Sequence, residues 1–191
     1  MKISKLFTVA VLILTFAVTT AQEGTNFIAE AASSTINWKG YKPTGSHHGT
    51  IALQSGDLAV QGENITGSFT VDMTTIKDAD GSGRLEGHLK SADFFDIEVF
   101  ATSKFKITST ETKEGKLYVS GNLTIKDVTK EITFPAAISK GEGMVTLTSE
   151  TFQINRAEFN IKYKSKSFFN NLKEKFINDE FDLQVSIVAK K

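Results

Sequence analysis

The chain has 191 residues, with 22 Lys and Arg against 22 Asp and Glu, 15 Phe and no cysteine. A balanced charge with no concentrated basic face argues against a nucleic-acid partner. The absence of thiols excludes disulfides, cysteine-ligated metals and thiol catalysis, as well as a lipid anchor on cysteine.

In chain order, residues 1–21, MKISKLFTVAVLILTFAVTTA, read as a secretory signal peptide. Lys2 and Lys5 precede an apolar run from Leu6 to Val18, and small residues end at Ala21. The run is about 13 residues, too short to span a hydrocarbon core comfortably. Cleavage after Ala21 removes Lys2 and Lys5, leaving 20 cations against 22 acids, and places the product in the periplasm or outside the cell. Residues 22–33 are expected as a flexible N-terminal segment and 34–191 as one domain, since about 170 residues suffice for a sizeable core.

From residue 34 onward, apolar and polar residues alternate in short stretches divided by turn residues, the pattern of strands with one buried face. Ile36 and Trp38 share a face in 35–41; Ile65, Phe69, Val71 and Met73 in 64–73; Phe105 and Ile107 in 104–108. Leu117, Val119, Leu123 and Ile125 follow in 116–125, then Ile132, Phe134, Ala136 and Ile138 in 131–138, and Phe181, Leu183, Val185 and Ile187 in 180–189. In 50–60 and 144–154 the apolar parity slips, as at a bulge or bend. Glu114-Gly115, Lys126-Asp127 and Gly141-Glu142-Gly143 read as short hairpin connections. Eight sequential antiparallel strands predict an all-β fold, an up-and-down barrel closed on itself.

Two segments interrupt the meander. Residues 81–100, GSGRLEGHLKSADFFDIEVF, place Leu85 and Leu89 four apart, enough for a short helix over 84–90. Its glycines fall at 81, 83 and 87, but a dinucleotide fingerprint needs the third at Glu86, so a nucleotide loop is rejected. Free backbone N–H groups at the helix start, with Arg84, could still hold an anion. The second segment, 159–179, carries Tyr163, Phe168, Phe169 and Phe176 among many lysines.

An eight-stranded barrel is either filled by its own side chains or holds one small or elongated ligand. Inward positions here mix Trp38, Phe69, Phe105, Phe134 and Phe181 with Gly40, Gly67, Gly121 and Ala136. Pattern alone leaves open whether those glycines oppose large side chains or make room for a lipid. His47 and His48 are adjacent and point to opposite faces of an extended chain, with no carboxylate spacing nearby, so no metal site is expected. No catalytic constellation is expected either, nor any cofactor. Asn64-Ile65-Thr66 and Asn122-Leu123-Thr124 match a glycosylation acceptor but lie in strand patterns.

HLKSADFFDIEVFATSKFKIT, residues 88–108, followed by GNLTIKDVTKEITFPAAI, residues 121–138, resembles the YceI-like family of secreted polyisoprenoid-binding proteins. The resemblance runs over about residues 34–188 and implies a lipocalin-like, eight-stranded antiparallel barrel with a hydrophobic pore. It implies an isoprenoid or another long-chain, lipid-like amphiphile as ligand, held by a periplasmic carrier that is not an enzyme. Arg84, Leu89, Ser91, Phe94, Phe95 and Phe105 sit at positions of the family pattern, though a family proline is absent from Val99-Phe100-Ala101-Thr102. The expected ligand-binding set is Trp38, Phe69, Arg84, His88, Phe94, Phe95, Phe105, Phe134 and Phe181, with Arg84 near a polar headgroup. The alternative is an enzyme or quinone-handling protein using the same cavity, with His88 and Tyr163 as its polar groups. A membrane-embedded barrel is disfavoured by the polar outward residues Lys104, Lys106, Asp182 and Gln184, and a homodimer is left open.

Overall fold

The computed structural model describes residues 24–62 and 64–191, so the expected signal peptide lies outside them. Ten strands make one sheet: β1 Thr25–Ala29, β2 Thr35–Lys42, β3 Gly45–Gln61, β4 Asn64–Asp78, β5 Thr102–Lys113, β6 Lys116–Ile125, β7 Val128–Gly141, β8 Met144–Ser149, β9 Phe152–Asn155 and β10 Glu180–Lys190. A single α-helix, α1 Gly83–Lys90, stands between β4 and β5 among the described residues.

All pairings are antiparallel, and β10 pairs with both β2 and β8, which closes the sheet into a ring. Ten strands fill eight positions. β1 and β2 share the place between β10 and β3, and β8 and β9 share the other flank of β10. The eight-stranded antiparallel barrel expected from alternation is therefore the architecture observed. Residues 25–33 differ from expectation. They form β1 and a 3-10 turn, and Phe27 and Ala29 are buried in the core. Their alternation spans only five residues, too few to distinguish from a lead-in.

Each interruption beside β10 is patched by a serine. Ser34 Oγ accepts from Val188 N–H at 3.1 Å, and Ser149 Oγ accepts from Val185 N–H at 2.9 Å. These hydroxyls satisfy backbone donors that a continuous strand would otherwise pair. The parity slips also have structural causes. β8 and β9 are separate strands, and the β3–β4 register shifts between Thr50 and Ala52 and between Leu53 and Ser55. Across the first shift, Thr75 Oγ1 accepts from Ala52 N–H at 2.8 Å, while Met73 and Ile76 both turn inward and are buried.

The helix begins where expected, to within one residue. Ser82 is its N-cap, accepting from Leu85 N–H at 3.4 Å, and Leu89 is its buried contact. A long connection over 156–179 joins β9 to β10 with only two 3-10 turns of its own. Connections longer than about 12–15 residues without regular structure usually carry function. This one is held by Arg156, whose side chain is 2% exposed. Its Nε donates to Asn178 O at 3.0 Å, Nη1 to Ile161 O at 2.8 Å and Nη2 to Ile177 O at 3.0 Å, and Asp179 pairs with it at 3.3 Å.

Candidate functional site

The α1 segment and the 156–179 connection meet at one end of the barrel and roof a cavity of about 450 Å³. Its walls are largely apolar: Trp38 and Gly40 from β2, Ile76 from β4, Leu85 and Leu89 from α1, and Phe181 from β10. Below it lies a narrower apolar chamber of about 110 Å³, lined by Phe69, Phe105, Phe134 and Phe152 among others. Ile51, Phe95 and Phe181 line both, so these three side chains stand between the chambers.

The two readings of the inward glycines divide along the barrel axis. In the lower half, a Cβ at Gly121 would lie 2.5 Å from Phe105 Cζ, and one at Gly56 would lie 2.5 Å from Phe69 Cδ1. Those glycines, like Gly67 under Leu58, house the protein's own side chains. Phe134 stacks on Phe152 at 4.3 Å with an 11° interplanar angle, and Phe105 leans on Phe134 at 5.6 Å. At the upper end, a Cβ at Gly40 would meet nothing within 4 Å. More space is left at the roofed end, about 450 Å³ against about 110 Å³ below.

Five members of the expected ligand-binding set, Trp38, His88, Phe94, Phe95 and Phe181, line the upper cavity. Phe69, Phe105 and Phe134 line only the lower chamber. Arg84 lines neither and is exposed on α1, while the guanidinium on the cavity wall is that of Arg156. Arg156 lies 5.3 Å over the Phe94 ring, a cation–π contact that ties the long connection to the α1 segment. Burial pulls its pKa down, and Asp179 and Glu180 oppose that. Sequence reasoning missed Arg156 because nothing local distinguishes it from a surface arginine. Its role depends on carbonyls about 20 residues further along the chain.

His88 and Tyr163, the polar groups an enzyme would need, pack edge to face at 4.4 Å, and His88 also meets Phe94 at 5.7 Å. This aromatic cluster forms wall. At the mouth, Lys42, Lys164 and Lys175 line the cavity, with Glu174 as the acid among them. On the same long connection Phe168 and Phe169 are exposed, 41% and 48% respectively. Tyr41, also lining, donates its O–H to Asp182, and that hydrogen bond raises the phenol's pKa above its ordinary value. The Trp38 indole nitrogen is buried without a hydrogen-bond partner among the described residues.

A family model described as YceI-like domain matches residues 27–189. A UPF0312 protein of Vibrio parahaemolyticus is 35% identical over 56% of this chain, and the match spans 58% of that relative, less than two thirds of its length. A UPF0312 protein of Vibrio vulnificus is 30% identical over 75% of this chain and 85% of its own. Among solved structures, Burkholderia cenocepacia BcnA superposes with a TM-score of 0.68 at 18% identity, covering 85% of this chain and 99% of its own. A polyisoprenoid-binding domain from Saccharophagus degradans gives 0.63 at 11% identity, covering 86% and 97%. At such identities the superpositions speak for the barrel.

Proposed function

Because this chain belongs to the YceI-like domain family, whose barrel is a binding-protein fold, we propose that it is a periplasmic carrier for a long-chain amphiphile. The observation that carries the reading is the roofed apolar cavity of about 450 Å³ leading down to Phe95 and Phe181. Burial of an alkyl or isoprenoid chain there gains about 0.8 kcal/mol per methylene, enough for affinity without any catalytic group. The likeness to a polyisoprenoid-binding domain supports the same ligand class. The lysines at the mouth favour a polar or anionic headgroup facing outward, in place of the Arg84 contact expected from sequence. Phe168 and Phe169, beside Lys162, Lys164 and Lys166, suit brief contact with a membrane surface during loading. The apolar run of residues 6–18 supports export.

Native mass spectrometry of protein purified from its own host, followed by delipidation and reloading with a long-chain polyprenol, tests the proposal. A bound lipid released by denaturation, and a stoichiometric reload, are expected. Protein that is free of lipid and takes up none would sink it, and turnover of the added lipid that disappears in His88→Gln would favour the enzymatic alternative.

A further inference from the structure

We propose that His47, Asp78 and Asp80 form a binding site for one divalent transition-metal ion of the zinc type, on the wall of the barrel's roofed end. The β3–β4 ladder builds it. Gly49 pairs with Asp78, and Ala79 N–H donates to His48 O at 2.9 Å, so Asp78 comes up on the same inward face as His47. Sequence spacing conceals this, because the carboxylates lie more than thirty residues beyond the histidine.

The donor atoms of the three residues all lie within 4.8 Å of one another. His47 Nδ1 and Asp78 Oδ1 are 3.6 Å apart, too far for a hydrogen bond. Tetrahedral ligands at zinc distances stand about 3.3–3.6 Å from each other, so that gap has the width an ion would occupy. The second observation is independent of the clustering. The Asp78 side chain is 0% exposed, yet its Oδ1, like His47 Nδ1, has no hydrogen-bond partner among the described residues. A fully buried carboxylate oxygen left without a donor is costly and rare. Its other oxygen accepts from Ser82 N–H at 3.0 Å, which fixes the carboxylate's orientation as an outer-shell partner does at metal sites.

Asp80 is exposed on the turn that follows β4 and holds its carboxylate within 4.8 Å of the other two donors. One imidazole and two carboxylates suit zinc and its first-row neighbours better than calcium or magnesium, which take oxygen ligands. Three protein ligands leave a coordination position open. Because His47 also lines the upper cavity, that position borders the space assigned to the cargo. His48 is excluded: it is exposed, on the opposite face of β3.

Calorimetric titration of the chelator-treated full chain with zinc chloride tests the site without any lipid, so its failure leaves the carrier reading standing. One zinc per chain is expected, with a rise in Tm. His47→Gln and Asp80→Asn should each weaken binding at least tenfold while keeping the circular dichroism of the parent, and His48→Gln should leave affinity unchanged. Excess calcium should not compete. Absence of binding, binding indifferent to both His47→Gln and Asp80→Asn, or binding lost in His48→Gln would overturn the proposal.

Discussion

Two inward glycines with the same place in the alternation face opposite surroundings, Gly121 pressed against Phe105 and Gly40 against open cavity. Gly121→Ala should destabilise by about 1–3 kcal/mol, the range for overpacking a filled core, read as a lower urea midpoint at unchanged slope. Gly40→Leu should leave that midpoint nearly unchanged, because its side chain grows into the cavity, and should cut lipid occupancy in native mass spectra. The pairing of Arg156 with Asp179 makes a separate prediction. Burial pushes the Asp179 carboxyl up, but hydrogen bonds from Ser165 and Ser167 and the Arg156 charge together outweigh it and hold the pKa below the ordinary range. A depressed carboxylate stabilises the folded state above its unfolded pKa of about 3.9 and loses that contribution as pH falls through the folded value. The 156–179 connection should therefore loosen below about pH 4. Hydrogen exchange at Ile177 and Asn178, whose N–H groups bond Lys164 O and Tyr41 O, would report it. In Asp179→Asn the acid-induced step should disappear.

At the scale of elements, most strands were legible because each turns one face inward over several alternations, and Lys116–Ile125 is recovered to the residue. The hairpin tips were legible as well. Glu114, Gly115, Lys126 and Asp127 all take positive φ, as two-residue turns of the primed type require. What local pattern could not show was pairing partner. β8 and β9 read as one slipped strand, and only their shared neighbour β10 reveals a break closed by a side-chain hydroxyl. Ser149 is 3% exposed, so Ser149→Ala leaves the Val185 N–H unpaired inside the barrel wall. A loss of about 1–3 kcal/mol is expected, measurable by thermal unfolding, and Ser149→Thr should recover most of it.

For the whole molecule, the candidate site was half legible. Aromatic residues carried by strands could be placed on the inner face from parity alone, and those at the roofed end do line the cavity. The roof itself could not be read. Its shape rests on Arg156 bonding carbonyls across the long connection and on Phe94 meeting that arginine, contacts that follow from closure and from no period in the sequence. The exposed pair Phe168 and Phe169 supplies a test at this scale. Cosedimentation with vesicles containing an anionic phospholipid should fall in Phe168→Ser/Phe169→Ser, with only a small loss of thermal stability because both side chains are about half exposed. Equal sedimentation of parent and variant would remove the membrane step from the carrier reading.

The position of β10 bears on how the chain reaches its folded form. Most neighbouring pairs in the ring lie close in sequence, but β10 meets β8 across the long 156–179 connection, and its seam with β1 and β2 spans nearly the full length of the domain. Until β10 has left the ribosome, the nascent barrel has two unsatisfied sheet edges and no enclosed interior. Such late, long-range closure slows folding, a delay that suits the export proposed above, because an unclosed chain stays threadable. The upper cavity, which Phe181 of β10 helps to line, is accordingly the last part of the molecule to come into being.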